Sequence, residues 1–162
     1  MPTAWRIVKA TRARAAFDGD GARRHGGRWN GRGTRMVVTA ESAALAALEL
    51  LVHLQASRLL AAYALVPARF DAALVETLSV RSLPARWREY PAPVELQELG
   101  DGWVRSRRTA VLRVPSAVVP VESNFLINPD HPDFSRIAIG APVPFDVDPR
   151  LRRSAARGRG RE

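Results

Sequence analysis

The sequence predicts an α+β fold, and three observations lead to it. One long alanine- and leucine-rich stretch, Glu41 to Gln55, reads as a helix, and the segments after it read mostly as strands. The order is strand, loop, helix, then strands with short helices, which is not the regular alternation of a doubly wound sheet. No repeat occurs at a useful period. At 162 residues the chain is one domain by size and can bury a core without staples.

Taken in order, Trp5-Arg6-Ile7-Val8-Lys9 alternates apolar and polar residues and predicts a short strand, with Arg6 pointing away from Trp5 and Ile7. Thr11 to Arg35 has few aliphatics and many glycines and charges, so it reads as a long loop, unusual in a compact domain unless it serves a purpose. Phe17 and Trp29 argue against disorder there, because large aromatics find something to pack on. Met36-Val37-Val38-Thr39 reads as a buried strand, with Thr39 as N-cap of the helix that follows. That helix is apolar around most of its circumference, which predicts burial on nearly all sides. Glu49 and His53 are the exceptions, spaced i, i+4 on one face. They form either a narrow solvent-facing stripe or a partly buried carboxylate that needs a partner.

Leu60 to Phe70 reads as a strand with Pro67 marking an edge or bulge, and Asp71 to Val80 has no clear pattern. Leu83 to Tyr90 predicts a short helix closed by Pro91 and Pro93. Glu95 to Leu99 predicts a helical turn broken at Gly100-Asp101-Gly102 and resumed at Trp103. Thr109 to Val114 is a strand, Pro115-Ser116 a break, and Val118 to Ile127 a second strand. A turn signal over Asn128–Asp133 precedes two short strands, Ile137 to Ile139 and Val143 to Val147. Residues 150–162 form an arginine-rich tail predicted to be disordered, so the folded domain spans 1–149.

Composition narrows the function. There is no cysteine, which removes disulfides and thiolate metal sites and fits a reducing cytoplasm. No apolar leader stretch or bilayer-length run is present, so the chain reads as soluble and intracellular. The net charge of +9 suggests nucleic acid, but residues 150–162 hold six arginines and one glutamate. The body therefore carries only +4. The three histidines lack ligand spacing, so no metal is expected. There is no Walker loop, dinucleotide fingerprint or nucleophile elbow.

Gly26-Gly27-Arg28-Trp29-Asn30 is the stretch that no helix or strand needs. Its glycines allow close approach of another group, and the Arg28 fork suits phosphate or carboxylate. With Glu49 in the helix and Ser123-Asn124 in a late strand, it makes a set of polar residues in apolar settings. Four blocks, RHGGRWNGRGT, TAESAALAALELLVHL, LGDGWVRS and VPSAVVPVESNFLINPDHPDF, together resemble the RES domain family from about Trp5 to about Leu151.

The family's name refers to an Arg, a Glu and a Ser. The resemblance places these on Arg28, Glu49 and Ser123 as catalytic residues, with Arg6, Arg28, Trp29 and Asn124 binding the ligand. It implies an ADP-ribosyltransferase-like fold of two packed, mainly antiparallel sheets flanked by helices. It also implies a toxin of a toxin–antitoxin module that consumes NAD+ by phosphorolysis or hydrolysis of the nicotinamide–ribose bond. Phosphorolysis would make inorganic phosphate a co-substrate, and no metal is expected. The implied partner is an Xre-like helix-turn-helix antitoxin that plugs the entrance near Arg28, in a homo-oligomeric complex that meets DNA only through the antitoxin and no membrane. Val38 stands where the family carries a tyrosine on the nicotinamide side, which leaves Trp29 as an aromatic that could take its place. Three alternatives stay open at this point: a protein ADP-ribosyltransferase toxin, a catalytically weakened RES protein that binds its antitoxin, and a basic nucleic-acid-binding module.

Overall fold

The structure is a computed structural model that describes residues 1–54 and 61–151. The predicted helix end at Gln55, the predicted strand start at Leu60 and residues 152–162 of the predicted tail lie outside the described residues.

Among the described residues eight strands form one hydrogen-bonded sheet: β1 (Thr3–Lys9), β2 (Val37–Ala40), β3 (Tyr63–Arg69), β4 (Val75–Thr77), β5 (Val111–Pro115), β6 (Ser123–Ile127), β7 (Ala138–Ile139) and β8 (Val143–Phe145). Their order is β4-β5-β6-β2-β1-β3-β7, with β8 also on β3. Every pairing is antiparallel except β4 with β5. The two packed sheets implied by the resemblance are here one hydrogen-bonded sheet that nearly divides. β1 pairs with β3 along seven residues but with β2 only at Trp5 opposite Ala40. Beyond that one pair the two strands part, and the candidate site opens in the gap.

Side-chain alternation along the strands sorts the core onto the two faces. On β6, Phe125 and Ile127 join a core with Val37, Val66, Phe70 and Val111, and the Phe70 and Phe125 rings meet edge to face at 5.3 Å. Leu126 points the other way, to Met36, Leu112, Val114, Trp29, Leu96 and Trp103. A third cluster packs Leu45 and Ala46 against Ala40, Trp5 and Ile7.

Three α-helices accompany the sheet among the described residues. α1 (Asp20–His25) and a 3-10 turn over Ala10–Ala15 occupy the region expected to be loop. α2 (Ala43–His53) starts later than expected, because Thr39 stays in β2 and donates its hydroxyl to the Phe125 carbonyl. Ser42 caps the helix instead, accepting from the Leu45 amide while donating to Glu122. Nor is α2 buried all round: it lies on the sheet by one side only, and Leu48 and Val52 remain 45% and 63% exposed.

α3 (Val94–Ser106) runs unbroken through Gly100-Asp101-Gly102, where a break was expected. Gly100 serves contact rather than termination: a Cβ there would overlap the Trp29 carbonyl. Residues 85–88 form turns rather than the expected helix. The carbonyls of Trp87 and Glu89 accept from Arg28 instead of from a further helical turn. Val118–Val121 is likewise not strand; β6 begins only at Ser123, after a tight 116–122 connection closed by the Ser116 amide on the Glu122 carbonyl. Among the described residues no helix is long and apolar enough to cross a membrane.

Candidate active site

The gap between β1 and β2 widens into a cavity of about 1220 Å³, bounded by the 25–29 loop, α2 and the 88–92 segment. Five of the six residues singled out from the sequence line it: Arg6, Arg28, Trp29, Glu49 and Asn124. Val38 lines it as well.

Glu49 is half-buried on the cavity side of α2. The Asn124 amide nitrogen donates to both of its oxygens, at 2.9 and 3.0 Å, and to the Thr39 carbonyl at 3.0 Å. All three partners are acceptors, which orients the carboxamide with its NH2 toward them. Ser116 Oγ adds a third bond, 3.1 Å to Glu49 Oε1. That hydroxyl already accepts from the Val118 and Val119 amides, so its own proton is left for the carboxylate. Burial still pushes the Glu49 carboxyl above its ordinary pKa, and the bonds from Asn124 and Ser116 and the charges of His53 and Arg28 offset only part of this.

Arg28 rests on a loop built with little freedom. Its Nη1 donates to the Trp87 carbonyl at 2.7 Å and to the Glu89 carbonyl at 3.2 Å. Next to it, Asn30 is 1% exposed and donates to the carbonyls of Ala22, Gly31 and Thr34. From α3, Gln97 donates to the Gly27 carbonyl and both Asp101 oxygens accept from the Gly31 amide. Gln97, Gly100 and Asp101, spaced i, i+3, i+4, thus present one helix face on which the Arg28 loop sits. Burial lowers the Arg28 pKa and the Glu49 charge raises it. Among the described residues neither Arg28 nor Glu49 takes part in an ion pair, so both charges remain available to a ligand.

Arg6 enters from β1 where the strands part. Its Nη1 donates to the Val38 carbonyl at 2.7 Å, a group β1 no longer reaches with its backbone. Its Nε is buried without a hydrogen-bond partner. Desolvation brings its pKa down to about 10, against a smaller opposing pull from Asp18, so at neutral pH it stays a cation.

Trp29 is 3% exposed and packs in the core with Met36, Leu96 and Trp103, so most of its ring serves the wall rather than the hollow. Ser123 is not brought together with the others. It alternates with Asn124 on β6 and faces the opposite way, accepting from Arg113 at 2.9 Å beside a separate hollow of about 260 Å³. The serine that reaches Glu49 is Ser116, fully buried. From sequence it reads only as a break after Pro115; the available signal was a hydroxyl at a strand end, two residues before amides left without strand partners. Among the described residues no group of three or more His, Asp or Glu side chains is placed to hold a metal ion.

The model of the family described as RES domain matches residues 3–148. A Yersinia enterocolitica protein named Toxin Res is 36% identical over 149 residues, covering 91% of this chain and 98% of that protein. A Sphingobium sp. protein named Prs ADP-ribosylating toxin is 40% identical over 156 residues, covering 93% and 97%. Among solved structures, the crystal structure of the M. tuberculosis MbcT–MbcA toxin–antitoxin complex contains a chain of similar fold, with a TM-score of 0.75 at 21% identity, covering 94% of this chain and 87% of that one.

Proposed function

The chain belongs to the RES domain family, and from that premise we propose that it is the toxin of a toxin–antitoxin module and acts by consuming NAD+. The observation that carries the proposal is the isolated Glu49 carboxylate, oriented by Asn124 and Ser116 and sharing one cleft with Arg6 and Arg28.

Cleaving the nicotinamide–ribose bond leaves positive charge on the ribose as its electron pair departs with nicotinamide, which leaves neutral and needs no proton. Glu49 hydrogen-bonds a ribose hydroxyl and stabilises the cationic carbon. Asn124 and Ser116 hold the carboxylate for that task. Arg28 binds the pyrophosphate, and Arg6 offers its unpartnered Nε–H to a phosphate oxygen of the same ligand or to incoming inorganic phosphate. An acceptor oxygen then bonds to the ribose carbon: phosphate gives an ADP-ribosyl phosphate, and water gives free ADP-ribose with its proton released to solvent.

In this proposal the fold is ADP-ribosyltransferase-like, with the near-division between β1 and β2 as the dinucleotide cleft. Residues 1–149 are the catalytic domain and 150–162 an appended basic tail. The partner is an Xre-like helix-turn-helix antitoxin that closes the entrance beside Arg28 in a homo-oligomeric cytoplasmic complex. A second reading, transfer of ADP-ribose to a protein, is favoured by the relative named Prs ADP-ribosylating toxin.

The test is product analysis by mass spectrometry after incubation with NAD+, with and without phosphate. Free nicotinamide with an ADP-ribosyl phosphate supports phosphorolysis, and free ADP-ribose supports hydrolysis. Turnover only when a protein acceptor is added supports the second reading, and intact NAD+ under all conditions refutes NAD+ consumption.

A further inference from the structure

Ten of the eleven aromatic side chains are buried or partly buried. The exception is Tyr90, 85% exposed, and it lines the cleft. An aromatic left in water on the rim of a polar hollow loses the burial that its ring would have in the core. Its position is also set by the site. The carbonyl of Glu89, its chain neighbour, accepts from Arg28 Nη1, and that of Trp87 accepts more closely. Arg88, also at the cleft, donates to the Ala117 carbonyl and holds the turn from the other side. Arg28 and the exposed ring are thus joined through one pinned turn.

The cleft has a direction. The half-buried carboxylate of Glu49 lies at its inner wall, with the fully buried Ser116 behind it. Arg28 lines the same cleft as Glu49 and Tyr90, and its Nη1 is tied to the Trp87 and Glu89 carbonyls of the 87–90 turn. A dinucleotide with its reactive ribose at Glu49 and its pyrophosphate at Arg28 extends its second nucleoside toward Tyr90. We propose that Tyr90 is a stacking platform for the adenine base of the dinucleotide. This rests on the NAD+ reading above and adds a binding subsite to it. Stacking needs only a π face, so the ring supplies affinity at the end of the ligand remote from the chemistry.

The experiment is calorimetric binding of two half-probes, ADP-ribose and nicotinamide mononucleotide, to the wild type and to Tyr90→Ala, Tyr90→Leu and Tyr90→Phe. Stacking predicts that Tyr90→Ala weakens ADP-ribose binding roughly tenfold, that Tyr90→Leu recovers little of this, and that Tyr90→Phe matches the wild type. Nicotinamide mononucleotide affinity should be the same in all four proteins. Unchanged ADP-ribose affinity in Tyr90→Ala overturns the assignment, as does an equal loss for both probes, which would put the ring at the ribose phosphate that the two probes share. In either case the NAD+ reading survives, because the wild type still binds. A wild type that binds neither ADP-ribose nor NAD+ refutes both.

Discussion

Ser116 Oγ lies 3.1 Å from Oε1 of Glu49, 67 positions away in the chain. The hydroxyl is fully buried and takes two backbone amides as donors, so it has one orientation in which its proton reaches the carboxylate. A serine at the first position of the tight connection between β5 and β6 is therefore coupled to the one carboxylate among the residues lining the cleft.

Replacing that serine should separate two candidates. Ser116→Ala leaves the Val118 and Val119 amides without a side-chain acceptor and Glu49 one bond short, at a cost of about 1–3 kcal/mol in stability. Burial then acts on Glu49 with less opposition, so the acid limb of the pH–activity profile should move to higher pH. Ser123→Ala removes only a bond to the exposed Arg113 on the other face and should leave NAD+ turnover close to wild type. Parallel pH–rate profiles of the two variants decide the matter; a profile disturbed by Ser123→Ala alone would reverse the assignment.

Glu49→Gln should abolish most turnover, about 100- to 1000-fold, by the magnitude of a lost transition-state contact. The same variant should melt at a higher temperature at pH 7. The sign follows from the raised folded-state pKa: the folded protein holds the proton more tightly than the unfolded chain. Stability therefore falls as pH rises from the ordinary carboxyl range through the raised value. Glutamine keeps an oxygen for Asn124 and Ser116 and has no charge to desolvate. Thermal melts of both proteins across pH 4–8 test this, and the wild type alone should show the downward slope.

Arg6→Met should also stabilise the empty protein, on the order of 1–3 kcal/mol, because a desolvated cation with an orphaned Nε–H is replaced by an apolar side chain of similar length. Its NAD+ affinity should fall. A variant less stable than the wild type would mean that the bond to the Val38 carbonyl matters more to the fold than the buried charge costs.

Gly100→Ala should destabilise by about 1–3 kcal/mol or more, since the new methyl group meets backbone rather than a flexible side chain. The displaced element is the loop that carries Arg28. Any protein that folds should show a raised KM for NAD+ with a smaller change in kcat. Asp101→Asn, which keeps an acceptor for the Gly31 amide, should do the same more mildly. Steady-state kinetics that show the larger effect in kcat would count against the platform role of α3.

Short-range patterns in the sequence sufficed for the α+β class, the strands β1, β2, β3, β5, β7 and β8, the existence of α2, and the glycine-rich loop that carries Arg28. Each depends on the period or the local conformational needs of a few neighbouring residues. Tertiary contact decided the rest. Gly100 looks like a helix break, yet it is an interior position where α3 touches the Trp29 backbone, and nothing local distinguishes the two uses. Leu83–Tyr90 has the composition of a helix, but its carbonyls are claimed by a guanidinium some sixty residues earlier. Ser123 and Asn124 are neighbours in the chain, and only the facing of β6 sends one to Arg113 and the other to Glu49. Ser116 becomes part of the site through a turn that aims its single free proton across the sheet, a consequence of three-dimensional hydrogen-bond accounting that no spacing in the chain records.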